Sequence, residues 1–131
     1  MIDVRELRVG SYVYLFRSIT PSKITDIGYS EIEKDRYEAG GLSSGSVFRT
    51  YVDNLNPIPV TNELLIKCGF RKEKDSFYRA DLGNIVLIQY GYYIQLMECT
   101  SETIPVVKIE FLHQLQNLYY SLTGRELEVN L

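Results

Sequence analysis

A stripe of polar but uncharged side chains runs along the last predicted helix. His113, Gln116, Asn117 and Tyr120 recur at spacings of three and four residues, which places them on one face of a helix. An exposed helix face usually carries Lys and Glu, so amides and rings in these places indicate a surface that forms hydrogen bonds. The stripe is a candidate binding site for a protein partner, for another subunit or for the N-terminal part of the chain. The alternative is that these side chains satisfy backbone carbonyls within the fold.

Tyrosines form a second candidate binding site. Tyr90, Tyr92 and Tyr93 surround Gly91 at a predicted hairpin turn, where rings can stack on bases or sugars or contact another protein. Stacking sites for nucleic acids normally carry Lys or Arg as well, and residues 82–107 contain neither. The turn therefore favours a protein partner. The alternative is that tyrosine, which occurs eleven times in this chain, reflects a strand-rich fold.

Catalytic chemistry has few candidate residues. His113 is the only histidine, and Glu110 is the only carboxylate at a supporting helical spacing, so a small enzyme that uses His113 as general base is the weakest hypothesis. The glycines at positions 40, 41 and 45 lack the GK[ST] ending of a phosphate-binding loop and predict a flexible loop. Four acidic residues nearby read as solvated charges: Glu31, Glu33, Asp35 and Glu38. We therefore predict no enzymatic activity and no catalytic residue.

Metal and cofactor binding are also disfavoured. Cys68 and Cys99 form no CxxC pair, and a single histidine does not complete a zinc site of four nitrogen and sulfur ligands. Cys68 lies in an apolar string, where a free cysteine behaves as a small buried hydrophobic residue. The sequence predicts no metal site and no cofactor.

Length and charge exclude further classes. The chain has 131 residues, 17 of them acidic and 14 basic, for a formal charge of -3. Its longest apolar run, at residues 85–88, is far shorter than the roughly 20 residues of a membrane span, so we expect a cytoplasmic protein with no membrane segment. The acidic balance disfavours nucleic-acid binding. Five basic residues of the N-terminal part keep that alternative open: Arg5, Arg8, Arg17, Lys23 and Arg49.

The N-terminal half alternates like a small curled sheet. A first strand follows Gly10, a second extended stretch at 23–33 bends at Gly28 with a bulge, and a third strand covers 47–52. Residues 35–46, between the second stretch and the third strand, are predicted to form a loop and to be the most mobile segment. Pro57 and Pro59 then mark a sheet edge or a stiff connector. Residues 1–58 are predicted to form an SH3-like β-barrel.

The C-terminal half reads as a β-meander between two helices. Thr61 caps a helix of about two turns that Gly69 closes, and four antiparallel strands follow from residue 70 to residue 97. A longer helix at 108–123 is closed by Gly124, and its apolar stripe is predicted to dock on the meander. The expected class is α+β, with units at 1–58 and 59–131 that either fold separately or share one core.

Three segments resemble a known family. They are the opening around Leu7-Arg8-Val9-Gly10-Ser11-Tyr12-Val13, the centre from Pro57 through Leu65 to Phe70, and the ending at residues 113–127, whose most specific part is His113-Gln114-Leu115-Gln116-Asn117-Leu118-Tyr119. Together they resemble a family of small proteins of unassigned activity encoded by phages and prophages of gut bacteria. The resemblance implies a mobile-element setting and an intracellular location, and it supplies no catalytic residue.

The leading functional hypothesis is a non-enzymatic accessory or adaptor protein that binds a protein partner. The predicted binding surface of this adaptor is either the polar stripe of the last helix or the tyrosine turn at residues 90–93. The alternative is a nucleic-acid-associated protein that uses the five basic residues of the N-terminal barrel.

Overall fold

The chain folds into two compact units of α+β structure. The computed structural model describes residues 2–33, 36–73, 78–82, 85–90, 93–98 and 106–131. Unit 1 contains Met1–Pro59 and Phe111–Leu118, and unit 2 contains Val60–Glu110 and Tyr119–Leu131. The division after Pro59 lies one residue from the predicted boundary. Residues 111–118 group with unit 1, whereas the sequence placed the whole last helix with the meander.

Unit 1 contains a curled antiparallel sheet of five strands. In chain order the strands are β1 (Tyr12–Leu15), β2 (Pro21–Tyr29), β3 (Tyr37–Ser43), β4 (Ser46–Tyr51) and β5 (Leu55–Asn56). Their order across the sheet is β4-β3-β2-β1-β5. Short 3₁₀ turns at Val4–Glu6 and Val52–Asn54 precede β1 and β5. The core lies on the inner face of the sheet, where Val13, Ile24, Ala39 and Leu55 are completely buried.

The predicted loop at residues 35–46 is wrong for most of its length, because residues 37–43 form strand β3. Gly40 and Gly41 are buried inside this strand, and at each of them a neighbouring residue occupies the place that a Cβ would take. A Cβ at residue 41 would lie 2.7 Å from the Phe48 ring and would also collide with the Lys23 carbonyl. Only Ser44 and Gly45 form a turn, and both have positive φ, as a two-residue hairpin turn requires.

The predicted bulge in the second strand exists but lies elsewhere. The register of β2 against β3 shifts between Ile24 and Asp26, and Gly28 pairs regularly with Glu38. The bulge keeps Ile24 and Ile27 on the buried side, although three positions separate them.

Unit 2 contains helix α1 (Asn62–Lys67) and a second antiparallel sheet of five strands. The strands are β6 (Arg71–Lys72), β7 (Tyr78–Leu82), β8 (Ile85–Tyr90), β9 (Tyr93–Glu98) and β10 (Val106–Lys108). Their order is β10-β9-β8-β7-β6, so the predicted four-stranded meander gains a fifth strand. The start of α1 is confirmed, since Thr61 Oγ1 accepts a hydrogen bond from the Leu64 N–H at 3.1 Å.

Helix α2 (Leu112–Thr123) begins four residues later than predicted. Residues 106–108 pair with β9 instead of extending the helix, because adjacent β-branched valines favour a strand. Gly124 ends the helix with a positive φ of 70°, as predicted. Among the described residues, neither helix combines the length and apolar character needed to cross a membrane.

Candidate functional site

Three of the four residues of the polar helix stripe face the interior of unit 1. His113 and Gln116 are each only 1% exposed. His113 Nε2 lies 3.0 Å from a carboxylate oxygen of Glu6, the last residue of the first 3₁₀ turn. This burial and this contact separate His113 from any substrate held at the surface, and its Nδ1 has no hydrogen-bond partner among the described residues.

Gln116 and Asn117 hold the segment that leads into β1. Gln116 donates from Nε2 to the Gly10 carbonyl and accepts at Oε1 from the Tyr12 N–H, both at 2.9 Å. Asn117 accepts from Arg8 Nε at 2.8 Å and donates to the Glu6 carbonyl at 2.6 Å. The stripe therefore satisfies backbone groups within the fold, which is the alternative that the sequence left open. Tyr120, the fourth residue, belongs to unit 2 and is exposed.

The tyrosine turn of unit 2 is described only in part. Tyr90 ends β8 and pairs with Tyr93 at the start of β9, which agrees with the predicted hairpin. Half of the Tyr93 side chain is exposed. Tyr92 lies outside the described residues.

The five basic residues of the nucleic-acid alternative do not form one free cationic surface. Arg5 pairs with Asp3 at 2.7 Å and holds the pKa of that carboxyl at about 2, mainly through their side-chain hydrogen bond. Arg8 bonds to Asn117 and to the Gln116 carbonyl. Arg49 lies between two carboxylates, while Arg17 and Lys23 are exposed. A phosphate would compete with acidic partners at two of the five positions.

A cluster of three tyrosines lies at one end of the sheet in unit 1, and we call it the tyrosine cluster. Tyr29 ends β2, Tyr37 begins β3 and Tyr51 ends β4, so the antiparallel strands bring all three to the same end. The Tyr29 and Tyr37 rings stack with centroids 4.3 Å apart, and the Tyr37 hydroxyl donates to the Tyr29 hydroxyl at 2.6 Å. This hydrogen bond raises the pKa of Tyr37. Tyr29 remains 66% exposed.

Arg36 fixes the third ring of the tyrosine cluster. Its guanidinium carbon lies 3.6 Å from the centre of the Tyr51 ring, which is cation–π geometry. The same guanidinium contacts Glu33 at 2.6 Å and Asp53 at 3.2 Å. The Glu33 hydrogen bond is the main reason that the pKa of Arg36 is raised. By register, Tyr51 lies on the outer face of the sheet, whereas the stacked rings of Tyr29 and Tyr37 lie on the side of the core. The tyrosine cluster therefore presents one fixed ring on the outer face and a stacked pair on the other face, at the same end of the sheet.

A second charged network crosses the outer face of the same sheet. Arg49 on β4 reaches over Gly40 on β3 and contacts Asp26 on β2 at 2.7 Å. It also contacts Glu38 at 3.0 Å. Beside it, Glu38, Arg49, Thr50 and Tyr51 line a shallow cavity of about 260 Å³. The absence of a side chain at Gly40 makes this crossing possible, because a Cβ there would meet the Asp26 carboxylate.

Unit 2 has a cavity of its own, with a volume of about 320 Å³. Lys67, Cys68, Asp81, Arg125 and Asn130 are among the residues that line it. Burial raises the pKa of the Cys68 thiol to about 12, so the thiolate that a nucleophile or metal ligand needs is scarce at neutral pH. No group of three or more His, Cys, Asp or Glu side chains suited to a metal ion occurs within the described ranges.

Sequence reasoning missed the tyrosine cluster because it read β3 as a loop. The available signal was the pair Tyr29 and Tyr37, which flank a polar segment as the ends of a hairpin would. Comparison with known proteins adds no name to these sites, because no family model, curated protein or solved structure matches the chain.

Proposed function

We propose that this chain is a non-enzymatic accessory or adaptor protein of a phage or other mobile element, acting in the cytoplasm, that binds a protein partner through unit 1. The tyrosine cluster carries the proposal. It replaces the predicted polar stripe as the binding surface, since His113 and Gln116 are buried.

The topology of unit 1 supports an SH3-like assignment. Five antiparallel strands in the order β4-β3-β2-β1-β5, with a 3₁₀ turn between β4 and β5, are the arrangement expected of such a barrel. Barrels of this kind bind peptides on aromatic surfaces. Here Arg36, which lies over the Tyr51 ring, contacts Asp53 in the 3₁₀ turn at Val52–Asn54.

The composition of the surface supports a protein as the ligand. Tyr and Arg are enriched where proteins bind one another, since they offer a large contact area with little side-chain freedom to lose. Ile32, three residues after Tyr29 in the chain, is apolar and 87% exposed. The positive charge of Arg36 is already compensated by Glu33 and Asp53, so the cluster has little to attract a phosphate. The nucleic-acid alternative therefore ranks second.

Affinity capture from host lysate tests the proposal. The purified chain, Tyr29→Ala and Tyr120→Ala are used as baits with and without nuclease, and the captured proteins are quantified. Tyr120→Ala is the matched control, because it removes an exposed tyrosine from a different unit. We expect Tyr29→Ala to lose a nuclease-resistant protein partner that Tyr120→Ala retains. Equal capture by both variants would contradict the proposal, and a loss confined to Tyr120→Ala would return the site to the last helix.

A further inference from the structure

The free edge of β4 differs from the other three sheet edges among the described residues. Strands β5 and β6 have two residues each and β10 has three, whereas β4 pairs with β3 over six consecutive residues. Within the described part of the chain, no other segment forms backbone hydrogen bonds with β4. Its outer side is thus a regular row of backbone donors and acceptors.

The hairpin geometry identifies the groups that point outward. A two-residue turn makes its flanking pair, Ser43 and Ser46, a hydrogen-bonded pair, and the pattern then alternates along the strand. Phe48 and Thr50 consequently direct their N–H and C=O groups toward β3. Val47, Arg49 and Tyr51 direct theirs away from the sheet, and the side chains of these three residues share the outer face.

The usual protection of an edge strand is missing from β4. Natural edges carry Lys, Pro or a bulge, or they are very short. The opposite edge follows this rule, because β5 is short and leads directly into Pro57. Strand β4 has no Lys or Pro, keeps a regular register and exposes 83% of Val47. Its one charged side chain, Arg49, is turned across the sheet toward Asp26 and Glu38.

The charge of Arg49 indicates whether the strand that pairs with the edge of β4 comes from a second copy of this chain or from another protein. Two copies paired antiparallel through all three outward residues would place Arg49 directly opposite the same residue of the second copy, and like charges in that position are destabilising. An acidic residue opposite Arg49 would add a third carboxylate to the two already bound to it. A neutral residue that accepts a hydrogen bond from the remaining guanidinium N–H groups fits best.

We propose that the edge of β4 takes up an extended segment of a partner protein as a sixth strand of the sheet. The segment carries apolar residues opposite Val47 and Tyr51 and a neutral polar residue opposite Arg49. The cavity beside Thr50 and Tyr51 gives room for one of the apolar side chains. This inference rests on the proposed function in taking the partner to be a protein, and it adds the form and chemistry of the bound segment.

A synthetic peptide tests the inference directly on the purified full chain. The probe is acetyl-Thr-Val-Thr-Gln-Thr-Val-Thr-amide, in which Val, Gln and Val share the face that continues the outer face of β4. Two further peptides replace Gln by Lys or by Glu. Binding is measured by titration calorimetry, and we expect the Gln peptide to bind up to about 5-fold more tightly than either charged one. Lys would face Arg49 with a like charge, and Glu would add a third carboxylate beside Asp26 and Glu38.

Backbone methylation provides the matched control without altering the protein. A peptide methylated at the Gln and one Val amide loses the N–H groups that would face β4, whereas one methylated at two Thr amides keeps them. We expect the first to bind at least about 10-fold more weakly than the second. Amide hydrogen exchange supplies an independent readout: the Val47, Arg49 and Tyr51 amides should be protected only when the peptide is bound.

A protein variant completes the test. Val47→Pro removes one outward donor without touching the pairing with β3, so we expect about 3- to 10-fold weaker peptide binding. Ile19→Ala removes an equally exposed apolar residue outside the strand and should bind normally. No peptide binding, or equal binding of the two methylated peptides, would overturn the inference. Self-association abolished by Val47→Pro would also overturn it, because the occupant would then be a second copy.

The two proposals fail in different ways. If Tyr29→Ala releases the captured partner and Val47→Pro does not, the proposed function stands and the edge inference is wrong. If neither variant releases any partner, the proposed function is wrong, whereas the peptide measurements on the purified chain still decide whether the edge accepts a strand.

Discussion

The side-chain amide of Gln116 takes the place of a neighbouring strand beside Gly10. Its nitrogen donates to the Gly10 carbonyl and its oxygen accepts from the Tyr12 N–H, each at 2.9 Å. A residue of a parallel strand opposite Ser11 would use its own N–H and C=O in the same way. A helix side chain thus satisfies backbone groups at the point where the sheet begins.

Replacing Gln116 should therefore destabilise the fold. Gln116→Leu removes both hydrogen bonds and leaves the buried Gly10 carbonyl and the partly buried Tyr12 N–H without this partner, at a cost of roughly 2–5 kcal/mol in the free energy of unfolding. Urea denaturation measures this loss. Ser121→Ala, an exposed change on the same helix, is the control and should stay within about 0.5 kcal/mol of the parent chain. A loss below about 1 kcal/mol for Gln116→Leu would show that water replaces the amide.

Glycine is required at position 41 but not at position 28, although both lie in neighbouring strands. In Gly41→Ala, the new Cβ collides with the Lys23 carbonyl and presses on the Phe48 ring, so we expect a loss of about 1–3 kcal/mol or more. In Gly28→Ala, the Cβ meets nothing within 4 Å and should change stability by less than about 1 kcal/mol in either direction. Thermal denaturation of the two variants compares them, and equal melting temperatures would contradict the packing described for β3.

Tyr37 should ionise at a higher pH than an ordinary tyrosine. Its hydroxyl donates to Tyr29, and this bond raises the pKa of Tyr37 above its usual value of 10.0. The folded state holds the proton more tightly than the unfolded state, so the bond contributes stability that is present below pH 10.0 and is lost as pH rises through the raised pKa. In Tyr29→Phe the acceptor is absent, and the pKa of Tyr37 should fall toward 10.0. Titration by NMR of a ring-labelled sample checks this shift, and an unchanged pKa would rule out the hydrogen bond as its cause.

Cys68 should resist modification while the chain is folded. Burial raises the pKa of its thiol from 9.0 to about 12. At pH 8 the thiolate is thus far scarcer in the folded chain than in the unfolded one. A Cys99→Ser variant isolates this residue, and we expect a disulfide reagent to react with it only slowly until denaturant is added. The raised pKa also contributes stability that is present below pH 9.0 and lost as pH rises toward 12, and Cys68→Ala should lack this dependence. Fast labelling of the folded Cys99→Ser variant would contradict the burial.

Local sequence patterns were sufficient to predict the strands with clear alternation and the helices with clear capping residues. Thr61 with Gly69 marked the first helix, and Gly124 marked the end of the second. Strand β3 was missed because two adjacent glycines and two serines have low strand propensity. Its stability comes from the Phe48 ring and the Lys23 backbone, which lie on other strands. Packing between strands cannot be predicted from the sequence of one strand alone.

The candidate site also depends on contacts between separate segments of the chain, which a single segment does not reveal. Tyr29 and Tyr37 meet through the register of β2 and β3, and the register of β3 and β4 brings Tyr51 to the same end of the sheet. Helical periodicity placed His113, Gln116 and Asn117 on one face, as it should. It did not show that this face meets the backbone of residues 6–12, because periodicity describes a helix and not its surroundings.

The discontinuous course of unit 1 bears on when it can fold. Residues 111–118 belong to the same unit as the N-terminal strands, yet they follow them by more than fifty positions of chain. During synthesis, about a hundred residues separate the translation of Gly10 and Tyr12 from that of Gln116, which binds their backbone groups. The N-terminal strands therefore leave the ribosome before the Gly10 carbonyl and the Tyr12 N–H have their helix partner, and unit 1 is completed only when residues 111–118 arrive.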